Sequence, residues 1–435
     1  MKLRSKHDPE IARLAIPAFG TLVAGPLYIL ADTAIVGHIG SAELGGLALA
    51  TTIFLTIHGF LIFLAYGTTA MVSRLIGAGD TTRAAHVSVQ GLWLALLLGL
   101  PSAGLIWWQA DWLLTTLGSS GASHGFGRTY LVVGAGGLPF LLMLLAGAGS
   151  FHGRQNTTLP LVVAVGSAAL NLVLESVAVL WLGYGIGASA LSTVIAEGVA
   201  AMIYTVKVIG WARQLGVSIA PQLSTITGLV QAGKPLILRN LALRGAFTAA
   251  TAVAARVGVA AVGGHQIGLQ VWSTLALALD AVAIAGQALT GRWLGAGAVE
   301  QARQAARRMI EVDVGLGVVM GALVFVTRHW VAAAFSTDAE VVAAAGIVLV
   351  WVALTAPLNG FVFALDGILI GAGDHRYLGR TMAAASVVFA ILAWTVNTTD
   401  AGLNWLWACL GAFMVLRAGT LWWRWRSDHW IVVGA

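Results

Sequence analysis

Long apolar stretches recur along this chain and are separated by short polar segments. A membrane-spanning α-helix needs about 20 mostly apolar residues, and twelve stretches meet that requirement. They cover residues 14–36, 47–72, 87–107, 129–150, 159–182, 186–208, 233–255, 266–290, 309–327, 345–371, 381–398 and 403–423. The pattern predicts an all-α membrane protein with twelve transmembrane helices and no separate soluble domain.

The composition agrees with a membrane location. Hydrophobic residues make up 58% of the 435 residues and only 10% are charged, against about 25% in soluble domains. The single cysteine, Cys409, excludes an intrachain disulfide and a cysteine-built metal site. The sequence contains no ATPase, zinc-protease or serine-nucleophile motif. We therefore predict a protein that is not an enzyme, needs no cofactor and draws its energy from an ion gradient.

The two halves of the chain repeat each other at a constant offset of 218 residues. Matching pairs include Pro17 and Pro235, Arg74 and Arg292, Pro139 and Pro357, and Gly153 and Gly371. Because six spans per repeat is an even number, both halves enter the membrane from the same side and the repeat is parallel. We predict an N-terminal six-helix lobe at residues 1–210, a cytoplasmic linker at 211–228 and a C-terminal six-helix lobe at 229–435.

Basic residues are unevenly distributed over the predicted topology. Nineteen lysines and arginines, Arg74 and Arg417 among them, fall on the side of the N-terminus, and three fall on the other side. Since loops rich in Lys and Arg stay in the cytoplasm, both termini are predicted to be cytoplasmic. This placement explains the net charge of +6 without nucleic acid as a partner.

The first predicted span contains an aspartate. An ionised side chain at the bilayer centre costs roughly 2.5–3.5 kcal/mol on insertion scales, so Asp32 indicates function. The matching position of the second repeat is Ala250, which carries no charge. Pro17 and Pro26 precede Asp32 in the same span, and proline lets a membrane helix kink. The first span therefore combines a titratable acid with a predicted helix kink.

The fifth predicted span carries a polar stripe. Ser167, Asn171 and Glu175 are spaced at i, i+4 and i+8, which places them on one face of a helix. Their counterparts in the second repeat are all apolar, so the polarity belongs to one specific cavity of the first half. Thr193 in the sixth span is expected to join this cluster.

A carboxyl in a poorly hydrated cavity favours its neutral form, because desolvation penalises the charged form. Two neighbouring carboxyls can also share one proton. Asp32 and Glu175 are therefore predicted to bind a proton and release it to the cytoplasm.

The second half has its own charged residues within spans. Arg239, Asp280 and Asp366 are candidates for substrate contacts or for structural polar sites, with an ion pair between Arg239 and Asp280 as the expected arrangement. The sequence assigns Glu197, in the sixth span, no role.

Three predicted cytoplasmic turns share the sequence Gly-Ala-Gly, at residues 77–79, 295–297 and 371–373. Glycine permits the positive φ that ends a helix tightly, and a following aspartate can cap the next helix. These segments are predicted to be tight turns and not phosphate-binding loops.

Taken in order, these motifs resemble the multidrug and toxic compound extrusion family, in particular its DinF-type bacterial branch. In the first half the resemblance rests on LADTAIVGHIG at 30–40, on the segment 67–80 and on NLVLE at 171–175. In the second half it rests on GHQI at 264–267, QALTGR at 287–292 and LDGILIGAGD at 365–374. The similarity extends over nearly the whole chain.

The resemblance implies two six-helix lobes with alternating access and export of cationic and amphipathic compounds in exchange for protons or sodium. It implies that Asp32 is the coupling acid and that Asn171, Glu175 and Thr193 belong to the same site. Glu175 stands where the family usually has aspartate, so the carboxyl lies one methylene further out. The expected substrates are small amphipathic or cationic molecules. The expected state is a monomer surrounded by lipid in a bacterial plasma membrane.

Two alternatives stay open at this point. Sodium coupling would use the oxygen atoms of the same four residues, Asp32, Asn171, Glu175 and Thr193. A lipid-linked precursor flippase would need a strongly cationic cavity, for which Arg239 and Arg244 are the available residues. Another branch of the family has an acid in the tenth helix, where this chain has Asn359.

Overall fold

A computed structural model describes residues 5–434 and is built from helices. No strand occurs in that part of the chain. The helices are α1 Asp8–Gly37, α2 Ser41–Leu61, α3 Phe63–Gly77, α4 Thr81–Thr116, α5 Gly121–Ala135, α6 Leu138–Gly153, α7 Thr158–Glu175, a π-helix Ser176–Trp181, α8 Ile186–Gln214, α9 Leu223–Val257, α10 Val259–Gly295, α11 Val299–Phe335, α12 Ala339–Gly371, α13 His375–Thr398 and α14 Gly402–Arg426.

These helices fall into twelve consecutive segments that contain the twelve predicted spans. Three segments are interrupted: α2 and α3 form one, α5 and α6 form one with a bend of 50°, and the π-helix extends α7. Ten helices among the described residues are long and apolar enough to cross a membrane, or eleven when the bent pair counts as one span. The remaining segment, α9, is less apolar because it contains Lys234, Arg239 and Arg244.

The outer surface of the helices is apolar, as expected for contact with lipid. Large hydrophobic side chains such as Trp108, Trp181 and Val259 are exposed, and Trp181 is 82% exposed. Soluble monomers rarely expose extended apolar patches, whereas a lipid-facing surface is apolar throughout. The exposed faces therefore agree with the membrane location that the hydropathy pattern predicts.

The described chain divides into two compact units, and two helices are shared between them. One unit comprises Gly20–Gly233, and the other comprises Lys234–Gly434 together with the beginning of the chain up to Phe19. The division falls within α1, between Pro17 and Pro26, and within α9, just before Pro235. Each repeat thus contributes the first part of its first helix to the unit formed by the other repeat. The helix α1 is continuous across both prolines, and the kink proposed there stays a prediction.

Two ion pairs hold the first turn of α1 within the C-terminal unit. Asp8 accepts a hydrogen bond from Arg308 Nε at 2.6 Å, and Glu10 accepts one from Arg292 at 2.6 Å. Arg308 and Arg292 lie at the start of α11 and the end of α10. Charged pairs of this geometry make strong hydrogen bonds, and they anchor the chain before it enters the N-terminal unit.

The three Gly-Ala-Gly segments are tight turns, as predicted. Gly79, Gly297 and Gly373 have φ of 79°, 72° and 77°, a left-handed conformation that glycine adopts without strain. Asp80 caps α4 by accepting a hydrogen bond from the Arg83 amide at 2.9 Å. Asp374 instead pairs with Arg424 at 2.5 Å, so the second aspartate ties the turn to α14.

The connection predicted at 211–228 contains the end of α8, a non-helical stretch at 215–222 and the beginning of α9. The Gln90 side chain in α4 holds this stretch: it donates to the Ala220 carbonyl at 2.9 Å and accepts from the Gln222 amide at 2.7 Å. The connection is therefore packed against the N-terminal unit.

Glycines allow the long helices α10 and α12 to pack with their backbones in contact. A Cβ atom added at Gly367 would overlap the carbonyl oxygen of Ala283. We expect Gly367→Ala to lower stability by about 1–3 kcal/mol, because neither backbone can move without disturbing its helix. The control is Gly346→Ala on the same helix, where a Cβ meets nothing within 4 Å. That variant should be neutral or gain up to about 1 kcal/mol. Thermal unfolding in detergent compares the two, and equal midpoints would contradict the packing argument.

Candidate functional site

Three helices of the N-terminal unit each contribute two polar residues, one helical turn apart, to a single cluster. Residues four apart lie on the same helix face, so the six side chains form two layers. The inner layer is Asp32 of α1, Glu175 of α7 and Ser189 of α8. The outer layer is Tyr28 of α1, Asn171 of α7 and Thr193 of α8. The structure thus brings together the four coupling residues predicted from the sequence.

Asp32 is the centre of the inner layer and is 4% exposed. Its Oδ1 accepts a hydrogen bond from the Ser189 hydroxyl at 2.7 Å, and its Oδ2 accepts one from the Tyr130 hydroxyl at 3.1 Å. Both donors are neutral. Among the described residues Asp32 forms no ion pair with Lys, Arg or His.

Glu175 lies beside Asp32 and is completely buried. Asp32 and Ser189 both lie close enough to the Glu175 carboxyl to act on it electrostatically, and neither Glu175 oxygen has a hydrogen-bond partner among the described residues. A hydrogen bond between two carboxyls requires a proton on one of them. A proton on either carboxyl would allow such a hydrogen bond between Asp32 and Glu175.

The outer layer connects the acids to a cavity. Thr193 Oγ1 bonds the Tyr28 hydroxyl and accepts a hydrogen bond from Asn171 Nδ2 at 3.3 Å. Tyr28, Asn171 and Thr193 line a cavity of about 270 Å³, together with Ser167 of the predicted stripe. All lining residues belong to the N-terminal unit. Asp32 and Glu175 are not among them, so the outer layer separates the acids from the cavity.

A π-helix begins directly after Glu175 and runs over Ser176–Trp181. π-helical turns are rare and occur frequently at functional sites, since the extra residue rotates the side chains around it. The change of helix type in α7 comes at Glu175, whose side chain is one methylene longer than the aspartate that the resemblance implies at this position. The sequence pattern gave no sign of this irregularity.

Asp366 of the C-terminal unit pairs with two arginines, Arg239 and Arg417, and the sequence analysis interpreted Arg417 only as a topology signal. Asp366 Oδ2 accepts hydrogen bonds from Arg239 at 2.6 Å and from Arg417 at 2.7 Å. Arg417 is 3% exposed. The ion pair of Arg239 is thus with Asp366, in place of the expected pair with Asp280. Asp280 is half-buried and interacts electrostatically with both Arg239 and Asp366.

Asp313 of α11 is a further acid that the sequence analysis did not single out. It is fully buried, and neither carboxyl oxygen has a hydrogen-bond partner within residues 5–434. Asp280 interacts with it electrostatically. No group of three His, Cys, Asp or Glu residues in the described chain is arranged to hold a metal ion.

Three members of the cluster in the N-terminal unit escaped the sequence analysis, namely Tyr28, Tyr130 and Ser189. Tyr28 precedes Asp32 by one turn and Ser189 precedes Thr193 by one turn. The i, i+4 rule that identified Asn171 and Glu175 therefore contained the signal for both. Tyr130 lies on α5 with no such partner, and only the packing of α5 brings it to Asp32.

A helical membrane protein with a duplicated six-segment unit and a buried acid pair in one unit has the features of a secondary transporter. The family model MatE matches residues 17–177 and again residues 235–395. The two matches are offset by 218 residues, the period of the internal repeat. The chain belongs to the MatE family.

Relatives and solved structures agree with this assignment. The chain is 32% identical to Protein DETOXIFICATION 44, chloroplastic, of Arabidopsis thaliana, over 96% of this chain and 82% of that protein. It is 28% identical to DNA damage-inducible protein F of Escherichia coli K12, over 99% and 95% of the two chains. A mutant of the Vibrio cholerae MATE transporter VcmN has the same fold, with a TM-score of 0.89 at 21% identity over 97% and 98% of the chains.

Proposed function

We propose that this protein exports small cationic or amphipathic molecules in exchange for protons. The observation that supports the proposal best is the proximity of the buried carboxyls of Asp32 and Glu175, neither of which has a basic partner among the described residues. Asp32 has only neutral hydrogen-bond donors. Two neighbouring carboxylates repel each other, which disfavours ionisation of both, so such a pair shares a proton. A proton gradient acts directly on a site of this kind.

The proposed cycle uses only the gain and loss of that proton. A proton taken up from outside neutralises the acid pair, and the hydrogen bond between the carboxyls draws α1 and α7 together. The outer layer moves with them, because Tyr28 and Asn171 are one turn from the acids on the same helices. The cavity then narrows and releases its substrate outward. Loss of the proton to the cytoplasm separates the carboxyls and reopens the cavity.

The helix α1 is suited to this movement. Pro17 and Pro26 remove backbone hydrogen bonds on either side of the boundary between the two compact units, which falls after Phe19. The part of α1 that carries Asp32 belongs to the N-terminal unit, and the part before Phe19 is held by Arg308 and Arg292 in the other. A kink between the prolines would let the two parts move separately.

The remaining parts of the proposal concern surroundings and assembly. The protein acts as a monomer in lipid of a bacterial plasma membrane, with both termini in the cytoplasm, as the distribution of basic residues indicates. All residues of the acid pair and the cavity come from one unit of one chain, so function requires no second copy. Transport uses the ion gradient and no prosthetic group.

Sodium is the second candidate for the coupling ion, because Asp32, Glu175, Asn171 and Thr193 all carry oxygen atoms. One feature favours the proton. Asp32 already accepts hydrogen bonds from the hydroxyls of Ser189 and Tyr130, so a metal ion would compete with these donors for the carboxylate oxygens. For a lipid-linked substrate, the pairing of Arg239 with Asp366 reduces the positive charge available.

Flux in proteoliposomes separates these ions. Vesicles receive either a proton gradient in sodium-free buffer or a sodium gradient at equal pH on both sides, and movement of a fluorescent lipophilic cation is followed. We expect flux under the proton gradient alone. Flux that follows sodium at equal pH would transfer the same residues to a sodium site, and absence of flux under both gradients would contradict cation export.

A further inference from the structure

The cavity of the N-terminal unit contains one acid that has been given no role. Glu197 of α8 lies one turn beyond Thr193 on the same helix face, and it is the one carboxyl among the residues that line the cavity. It forms no ion pair with any described residue. The cavity wall thus carries a carboxyl without an ion pair among the described residues, and His58 is the basic side chain that lines the same cavity.

The coupling acids are in a different position. Asp32 is 4% exposed, Glu175 is fully buried, and neither lines the cavity. A molecule in the cavity therefore touches Tyr28, Asn171 and Thr193 but reaches no carboxyl of the proton pair. The positive charge of a substrate must be recognised by some other group.

Glu197 has the surroundings for that task. The aromatic side chains of Tyr28 and Tyr204 line the same cavity, and tyrosine faces attract organic cations. Tyr204 is fixed by Phe151, whose ring centre is 5.8 Å away, and by close packing against Gly147. The rest of the wall is largely alanine, leucine, valine and proline, which suits an apolar body. The cavity, at about 270 Å³, is slightly smaller than the roughly 300–1,000 Å³ typical of sites for drug-sized ligands, so a small organic cation is the fitting occupant.

We propose that Glu197 binds the positive charge of monovalent organic cations, in a site separate from the proton pair. Substrate and proton then occupy different carboxyls, and they influence each other through the hydrogen-bonded layer of Tyr28, Asn171 and Thr193. This inference rests on the proposed function, since it names the substrate-binding part of the same unit. It assigns charge selectivity to Glu197 and proton coupling to Asp32 and Glu175.

The test is equilibrium binding of two ligands of the same shape to the purified full-length protein in detergent, at alkaline pH where carboxyls are ionised. Benzyltrimethylammonium is the cation, and neopentylbenzene is its neutral counterpart with carbon in place of nitrogen. We expect Glu197→Gln to weaken binding of the cation about tenfold or more, because its charge loses its partner. Binding of the neutral ligand should stay unchanged, which also shows that the cavity is intact.

A further variant sharpens the result. Glu197→Asp keeps the charge and should restore most of the cation affinity. Equal losses for both ligands in Glu197→Gln, or no loss for the cation, would overturn the proposal. If wild-type protein prefers the cation through Glu197 but shows no proton-driven flux, the proposed coupling fails and the charge site stands.

Discussion

Asp32→Asn is expected to abolish proton-driven export in proteoliposomes, down to the rate of protein-free vesicles. Asparagine keeps the size of the side chain and one of the two oxygens that accept from Ser189 and Tyr130, but it cannot bind and release a proton between the two sides. Glu175 then lies beside a neutral amide and has no second carboxyl with which to share a proton. Initial rates of dye movement under an imposed proton gradient measure the effect.

Two variants serve as controls for this prediction. Glu175→Gln removes the other member of the pair and should show the same loss of coupling. Tyr130→Phe removes one hydrogen bond to Asp32 and keeps both carboxyls, so coupled transport should persist at a reduced rate. Proton-driven export at the wild-type rate by Asp32→Asn would refute the acid pair as the coupling site.

Asp366→Asn is expected to lower the stability of the protein by about 3–5 kcal/mol. Asp366 is the shared acceptor for Arg239 and Arg417, and the side chains of the three residues are at most 11% exposed. Removing the carboxylate takes away the acceptor that the two buried guanidinium groups share, and breaking a buried pair has an effect of that size. The midpoint of thermal unfolding in detergent is the measurement, since α9, α12 and α14 are all joined at this point.

The matched control is a surface pair. Asp111 accepts hydrogen bonds from Arg128 and His124 with its side chain 62% exposed. Exposed pairs of this kind contribute little because water and salt screen them, so Asp111→Asn should leave the midpoint unchanged. Similar midpoints for Asp366→Asn and wild type would show that the two arginines are compensated by other groups.

The sequence predicts the helices well because each span is determined by its own run of apolar residues. Twenty apolar residues have few alternatives in lipid, where every backbone group must be bonded within its own segment. The helices extend several residues beyond the predicted spans at most ends, as in α11, where the apolar pattern begins at Met309 but the helix starts at Val299. Hydropathy predicts only the part of a helix that lies in lipid. It does not detect the polar turns at the helix ends, because these turns contain no apolar pattern.

The polar clusters were predictable only in part. Asp32, Asn171, Glu175 and Thr193 could be grouped because polar residues in lipid need partners and the repeat shows which half is polar. The ion pair of Arg417 was not predicted, because its position near the end of the last span agrees with a cytoplasmic charge. Its burial against Asp366 depends on how α14 packs on α12, and helix packing is not encoded in any local pattern.

The most direct test of proton antiport measures the proton itself. Vesicles that contain the protein, a trapped pH indicator and an organic cation are diluted into cation-free buffer, with sodium absent and the membrane potential clamped. Our account predicts that outward movement of the cation acidifies the lumen in wild type, because a proton enters in exchange, and that Asp32→Asn abolishes the change. Cation efflux in wild type without a change of internal pH would contradict the account.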